Sequence, residues 1–334
     1  MKVSVGGRLV GDGEPCFIVA EAGENHVSNV EIAVALIRQA AQAGADAIKF
    51  QTHIAEELYN PSSPKYAHRV EVELPFSHYK RLMEEAKAQN IIMCSTPFDE
   101  PSADFLDELG VPLFKAGSGE LTHHAFLRHV AKKGKPIAVS TGMATQEEID
   151  AAARVVKEAG NDQLIIAHCV SVYPSPVNLS NVRAVPALRK RLGVLTGFSD
   201  HTMTSSAAMA AVALGACYIE KHFGLSRALP EGDNDISLEP DEFKAMVHSI
   251  REVEAALGTG KRFLLPEEKD LVKIAHRGVY ARKPIRKGAL IKAGMIAVRR
   301  PLSEIPADRI DDVLGKKAAV DIEAEQPLRW EMLV

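Results

Sequence analysis

Short apolar runs that end in polar side chains recur eight times along the chain, each followed by a longer stretch whose apolar positions have helical spacing. The runs are Phe17–Glu21, Ala47–Gln51, Ile91–Ser95, Leu113–Gly117, Ile137–Ser140, Leu164–His168, Leu195–Ser199 and Cys217–His222. The segments between them carry helix punctuation. In Ser28-Asn29-Val30-Glu31 and Thr145-Gln146-Glu147-Glu148 a hydroxyl stands three positions before a carboxylate able to cap back, so both are predicted to open helices. Gly110, Gly160, Gly215 and Gly258 follow stretches where a left-handed residue ends a helix, and Pro240 stands where the last helix of the series begins. This alternation predicts an α/β protein whose residues 1–258 form a closed (β/α)8 TIM barrel, in preference to an open doubly wound sheet, whose GxGxxG turn is lacking.

At the N-terminus, Val3-Ser4-Val5-Gly6-Gly7-Arg8-Leu9-Val10 has the pattern of a two-residue hairpin placed to close the bottom of the barrel. Residues 259–275 leave the alternation in a charged stretch punctuated by Gly260 and Pro266, and are predicted as a linker. From 276 to 334, short β-like runs (Gly278–Ala281, Ala289–Ile291, Met295–Val298, Ala318–Ile322) alternate with turns such as Arg286-Lys287-Gly288, which predicts a small, mostly β second domain.

Length and composition fit this division. At 334 residues the chain exceeds one ordinary hydrophobic core, and 46% hydrophobic with 25% charged residues argues against disorder, collagen and coiled coil. The net charge of -4, from 40 basic and 44 acidic residues, supplies no basic surplus for nucleic acid or an anionic membrane. No stretch approaches the roughly 20 apolar residues that span a bilayer, and Met1–Gly7 lacks a signal-like apolar run, so a soluble, cytoplasmic protein is expected. Cys16, Cys94, Cys169 and Cys217 lie in or beside apolar runs without CxxC pairing, which predicts buried free thiols rather than disulfides or zinc ligands.

In a (β/α)8 barrel the reactive residues stand at the carboxyl ends of the strands, so the polar residues ending each run are the candidates. Side chains alternate with period two, which puts Lys49 with Gln51, Ser199 with His201, and Glu220 with His222 on shared faces. The seventh and eighth runs would aim His201 and His222 at one point. Two imidazoles with a nearby carboxylate and no thiolate suit a divalent cation with positions left open for water and substrate; Mn2+ is preferred, with Mg2+ and Co2+ as alternatives. A lone strand-end histidine such as His168 reads as structural, and His26, His53, His123 and His124 have no comparable partner in sequence. Lys49 and Lys115, ringed by Ser118, Ser140, Ser199 and the glycine-flanked amides of Gly117-Ser118-Gly119 and Thr141-Gly142, make a receptor for a compact phosphate or carboxylate. The same lysines also suit a Schiff base, or structural pairing with Glu21 or Glu120. Two lysines, several serines and a metal pair together favour a metal-assisted reaction of an anionic substrate.

These residues carry a resemblance. Ala20-Glu21-Ala22-Gly23-Glu24-Asn25-His26, Lys49-Phe50-Gln51-Thr52, Ser95-Thr96-Pro97-Phe98, Lys115-Ala116-Gly117-Ser118-Gly119-Glu120, Ser140-Thr141-Gly142-Met143, Tyr173-Pro174, Gly197-Phe198-Ser199-Asp200-His201 and Glu220-Lys221-His222-Phe223 resemble, in order, the motifs of the sialic acid synthase family. Ile285-Arg286-Lys287-Gly288 and Arg299-Arg300-Pro301 resemble its appended antifreeze-like (SAF) domain, so the likeness spans nearly the whole chain. The resemblance implies condensation of phosphoenolpyruvate with an N-acylated hexosamine, N-acetylmannosamine or a related diacetamido sugar, to a nonulosonic acid and phosphate. It implies that Lys49, Lys115, Ser118, Ser140, Ser171, Tyr173 and Ser199 hold phosphoenolpyruvate and that His201 and His222 hold the metal. Glu21, Gln51, Glu120, Glu220 and Asp233 would serve the reacting centre, with Thr96 and Asp233 facing the sugar. Arg300 would reach the acyl group of the sugar bound by a second subunit of a domain-swapped homodimer, a task that suits a guanidinium fork.

Some positions depart from the family pattern. Gly224-Leu225-Ser226 and Glu231-Gly232-Asp233 stand where the family usually has Thr-Leu-Asp and Gly-Pro-Asp, Leu302-Ser303-Glu304 replaces glycines, and Ser171 replaces an Asn found in some members. The first two changes fall in loops expected near the acceptor, so legionaminic and pseudaminic acid synthases remain alternatives of the same class. Synthases acting on phosphorylated aldoses ordinarily lack the C-terminal module. A non-catalytic carbohydrate-binding protein is the alternative from another class.

Overall fold

A computed structural model describes residues 1–230 and 232–334 of the chain, which divides into two compact units, Met1–Gly258 and Thr259–Val334. In the first, β1 (Lys2–Val5) and β2 (Arg8–Gly11) form an antiparallel hairpin. Eight parallel strands then close into a barrel: β3 (Phe17–Gly23), β4 (Ala47–Thr52), β5 (Ile92–Pro97), β6 (Phe114–Ala116), β7 (Ile137–Ser140), β8 (Leu164–Cys169), β9 (Leu195–Asp200) and β10 (Tyr218–His222). Each pairs with its sequence neighbours, and β10 pairs back onto β3, as the alternation of strand and helix predicts.

Period-two alternation sorts the strand residues into two populations. Ile18, Ala20, Ile48, Phe50, Ile166, Phe198 and Ile219 point outward into the large core shared with the surrounding helices. Phe17, Val19, Ala47, Cys94, Leu195 and Tyr218 point inward and fill the lower barrel together with Val3, Val5 and Val10 of the hairpin. The hairpin therefore plugs the amino-terminal end. Its turn needs left-handed backbone at both central residues, and glycine supplies it at φ +56° for Gly6 and +87° for Gly7.

The helix signals hold with one correction. Thr145 and Glu148 form a reciprocal capping box, Gly110 ends its helix in the left-handed region, and Pro240 opens the helix Pro240–Leu257. The helix Val30–Gln42, however, is capped by Asn29, whose side chain accepts from the amides of Glu31 and Ile32. Ser28 is itself left-handed at φ +56°, and its hydroxyl donates to the Glu73 carbonyl instead. The stretch expected as a linker also carries structure, the helix Lys269–Ala275, and belongs to the second unit.

The second unit holds a two-stranded antiparallel sheet, β11 (Gly278–Ala281) and β12 (Ile296–Arg299), around a small core that includes Val279, Ile285, Ile291, Ile305 and Leu328. The runs around Ala289 and Ala318 contribute isolated bridges, such as Leu290 with Lys317, rather than extended strands. Among the described residues no helix is long and apolar enough to cross a membrane, and all four cysteines are buried free thiols.

Gly197 of β9 has no room for a side chain: a Cβ there would lie 2.5 Å from the Tyr218 carbonyl oxygen on β10. Gly197→Ala is expected to lower stability by about 1–3 kcal/mol or more, because backbone must move to accommodate it. A chemical-denaturation midpoint equal to wild type would contradict this close approach.

Candidate active site

The inward side chains become polar above the apolar layer, and the register of the barrel decides which of them meet. Glu21 pairs with Lys49 across β3 and β4, Gln51 with Thr96 across β4 and β5, Ser199 with Glu220 across β9 and β10, and closure sets His222 beside Glu21. These groups line an open cavity of about 560 Å³ at the carboxyl ends of the strands.

Its floor is a chain of alternating buried charges. Lys49 Nζ lies 2.5 Å from Glu21 Oε2, 3.9 Å from Glu220 Oε1, and donates to Thr96 Oγ1 at 2.8 Å. Lys115 Nζ lies 3.7 Å from the same Glu220 oxygen, Ser199 Oγ donates to it at 3.3 Å, and the Tyr218 hydroxyl donates to the other. Burial opposes ionisation of Glu220, yet the two lysines, with Tyr218, hold its carboxyl down at about 2. Burial works against charge on Lys49 too, and the carboxylates of Glu21 and Glu220 outweigh it and raise its pKa. Lys115 lies below its ordinary range, since burial dominates and Glu220 compensates only in part. Gln51 Nε2 donates to Glu21 Oε1 at 3.0 Å and fixes that carboxylate from the far side.

On the opposite wall, Ser118 Oγ accepts from the Gly142 amide at 3.0 Å, and Ser140 Oγ is buried with no hydrogen-bond partner among the described residues. Gly142 cannot carry a side chain, because a Cβ would meet Ser171 Oγ at 2.1 Å and Ser118 Oγ at 2.8 Å. Hydroxyls packed this closely around a backbone amide, beside Lys115, form a cradle for an oxyanion.

His201 and His222 come together with ring centroids 5.3 Å apart, and the Tyr173 ring sits 4.2 Å from His201. His201 Nδ1 lies 2.8 Å from the Val170 carbonyl, which can only accept, so Nδ1 carries a proton and, in the neutral ring, Nε2 is the nitrogen with the free lone pair. Burial pushes His222 toward the neutral form, and its Nδ1 is buried without a hydrogen bond among the described residues, 3.6 Å from Asp233 Oδ2. Burial opposes charge on His201, but the Cys169 thiol and the Val170 carbonyl outweigh it and raise its pKa; the two adjacent imidazoles, deprotonated on binding, fit a divalent cation. Among the described residues no third His, Cys, Asp or Glu completes a ligand group, so such a cation would draw its remaining ligands from water and substrate.

Of the residues singled out from sequence, Glu21, Lys49, Gln51, Thr96, Lys115, Ser118, Ser140, Ser171, Tyr173, Ser199, His201, Glu220, His222 and Asp233 line this one cavity. Glu120 does not: it lies in the turn Ser118–Glu120 with its carboxylate 3.5 Å from His123 Nδ1. Arg300 belongs to the second unit, just after β12. Glu231, at one of the departures from the family pattern, lies outside the described residues. His168 turns outward to the Ser180 carbonyl at 2.9 Å, a structural role.

Sequence reasoning passed over Glu24, Lys65, Arg69, Cys169 and Asp235, which also line the cavity. Cys169 was findable, since it ends β8 with the opposite parity to His168; its thiol approaches Ser118 Oγ at 3.6 Å and His201 Nδ1 at 3.8 Å. Lys65 and Arg69 have no such signal, because they lie in a long excursion between β4 and β5 that follows no strand pattern.

Comparison with known proteins shows the family of the chain. Residues 36–262 match the NeuB family and residues 276–334 the SAF domain. The chain is 36% identical to an N,N'-diacetyllegionaminic acid synthase of Campylobacter jejuni, over 94% of this chain and 98% of that protein. It is 33% identical to the N-acetylneuraminate-9-phosphate synthase of Homo sapiens, over 98% and 95%. A crystal structure of N-acetylneuraminic acid (sialic acid) synthetase from Leptospira borgpetersenii, in complex with citrate, superposes with a TM-score of 0.77 at 32% identity, covering 81% of this chain and 95% of that one.

Because Glu220 Oε1 lies within 4 Å of two buried ammonium groups, Glu220→Gln should cost about 3–5 kcal/mol of stability. Adding Lys115→Met should restore part of that loss. Strictly additive losses in a double-mutant cycle, measured by chemical unfolding, would show that the pair is not coupled.

Proposed function

The chain belongs to the NeuB family, and from that membership we propose that it is a metal-dependent synthase condensing phosphoenolpyruvate with an N-acylated hexosamine to give a nonulosonic acid and phosphate. The observation that carries this reading is the joining, in one cavity, of an anion cradle with two buried lysines to a pair of imidazoles, in a chain that runs nearly the full length of the synthases it resembles.

Phosphoenolpyruvate lies against Lys115, Ser118, Ser140, Ser171 and Ser199, with Lys49 and Tyr173 flanking it. The hydroxyl of Ser140, without a partner among the described residues, and the undercompensated ammonium of Lys115 gain in this anion a charged acceptor. Carbon C3 of phosphoenolpyruvate bonds to the aldehyde carbon of the open-chain sugar, whose oxygen takes up a proton. Water then adds at C2, and the C2–O bond to phosphate breaks to leave the keto acid. His201 and His222 would hold the cation, which when bound supplies Lewis-acid polarisation of the acceptor carbonyl.

Glu220, held ionised by two lysines, compensates charge rather than donating a proton. Proton transfer is assigned to Glu21, which pairs with Lys49 and so acts as the base, accepts from Gln51 and stands beside His222 in register, and to Asp233 beside His222. Proximity and preorganised charge supply most of the acceleration. The four buried free thiols fit the reducing cytoplasm, where this chemistry would take place.

Phosphate release from phosphoenolpyruvate, followed with Mn2+ and a panel of acyl-hexosamines, tests the reading. Turnover should vanish with excess chelator and return with Mn2+, and His222→Ala should lose Mn2+ affinity by calorimetry. Full activity in excess chelator would eliminate the metal, and no phosphate release with any acceptor would eliminate the synthase.

The functional unit proposed is a homodimer in which the partner subunit's Arg300 holds the acyl group of the acceptor. Arg300→Ala mixed with His222→Ala gives heterodimers with one doubly damaged site and one intact site, so activity should recover towards about a quarter of wild type under random exchange. Exchange confirmed by mass spectrometry without recovery would place Arg300 in its own subunit's site or in none.

A further inference from the structure

One wall of the cavity is built from residues that the reaction as described does not use. Arg69 lies on the short helix Tyr66–Val72, and its Nη1 donates to Glu24 Oε1 in an ion pair whose side chains are 21% and 7% exposed. Both line the cavity. The helix is pinned from several sides: His53 Nε2 bonds the Arg69 carbonyl, Ser28 Oγ donates to the Glu73 carbonyl, and the Ala55 amide donates to Glu73 Oε2. The Arg69 guanidinium also sits over the Tyr59 ring, 5.6 Å from its centroid. A guanidinium has five N–H donors, and among the described residues Glu24 is the only hydrogen-bond acceptor for this one. Nearby Lys65, which lines the same wall and is exposed, has no ion-pair partner among the described residues.

The phosphoenolpyruvate cradle is elsewhere, on Lys115 and the serines, so this pair faces the part of the cavity left to the acceptor. It presents a carboxylate acceptor and guanidinium donors side by side on a fixed support. A secondary amide offers the complement: its N–H donates to the carboxylate while its carbonyl accepts from the guanidinium. The acceptor's first acylamino group is assigned above to Arg300 of the partner subunit. Resting on the synthase reading, we propose that Arg69, held in place by Glu24, is a specificity-determining residue that engages a second acylamino group, so that the preferred acceptor is a diacylamino hexose. A mono-acylated sugar leaves a buried donor and acceptor less well matched, and sites built to hydrogen-bond a substrate group discriminate against analogues that lack it.

The test compares wild type, Arg69→Lys and Arg69→Ala on three acceptors at saturating phosphoenolpyruvate and Mn2+: a 2,4-diacetamido-2,4,6-trideoxyhexose, N-acetylmannosamine and N-acetylmannosamine 6-phosphate. Wild type should have its highest kcat/KM with the diacetamido sugar. Arg69→Ala should lower the ratio of kcat/KM for diacetamido over mono-acyl acceptor roughly tenfold or more, chiefly through KM. Phosphoenolpyruvate affinity by calorimetry should not change. Arg69→Lys keeps the charge paired with Glu24 and the fold, as read by the thermal midpoint, but lacks the planar fork, so it should lose the same selectivity. Equal losses on all three acceptors would mean that the pair only supports the wall. A loss confined to the 6-phosphate would make Arg69, with Lys65, a phosphate contact. Either result overturns the proposal while leaving the synthase intact, whereas wild type that turns over none of the three overturns both.

Discussion

Four charges buried at the upper end of the barrel have to be neutralised by one another. Glu21, Lys49, Glu220 and Lys115 are each almost wholly out of solvent, and removing an ion from water costs several kcal/mol unless an opposite charge stands close. The required neighbours come from different strands, β3 with β4, and β10 with both β4 and β6 across the lumen. An open sheet would strand Glu220 at one edge and Glu21 at the other. Closure of β10 onto β3 therefore does more than remove sheet edges: it brings together the charges that make a polar interior tolerable.

That constraint explains how the interior is layered. The lower half of the lumen is apolar and plugged by the hairpin, while the upper half holds the charges and hydroxyls. Alternation within one strand keeps a second set of charges out of the site. In β10, Glu220 and His222 face the lumen while Lys221 between them faces outward, where its ammonium donates to Asp200 at 2.8 Å and to the Thr204 carbonyl at 2.9 Å. Asp200 is directly across from it in the register of β9, between the inward Ser199 and the inward His201. Two strands thus carry two separate buried ion systems on opposite faces, one reactive and one structural, and a slip of one residue would exchange them.

This parity is why much of the floor is legible in the sequence. Lys49 with Gln51, Ser199 with His201, and Glu220 with His222 need only period two and a strand end to be placed together. Parity alone also points to Cys169 rather than His168 as the lumen-facing residue of β8. What is not legible is anything that depends on contact between segments without a period. Glu120 follows the Lys115 motif immediately, yet the turn at Ser118–Glu120 rotates its carboxylate toward His123. Asn29 rather than Ser28 caps its helix because Ser28 is committed to Glu73, a partner 45 residues away. Glu24 lies within a motif, but its partner Arg69 is also 45 residues distant, in an excursion that no pattern announces.

The two halves of the cavity consequently rest on different physical supports. The half proposed for phosphoenolpyruvate is made of strand ends locked by backbone ladders and by mutual charge compensation, so altering one member disturbs the others and the barrel with them. The half proposed for the acceptor is made of side chains from the helix Tyr66–Val72 and from the loop that follows β10, held by side-chain contacts rather than by strand ladders. A substitution at Arg69 leaves the ladder of every strand in place, whereas a substitution at Glu220 takes from Lys115 its only ion-pair partner among the described residues. On the proposed division of the cavity, change of acceptor is therefore the cheap change in this architecture and change of the phosphoenolpyruvate chemistry the expensive one, a consequence of where the buried charges lie.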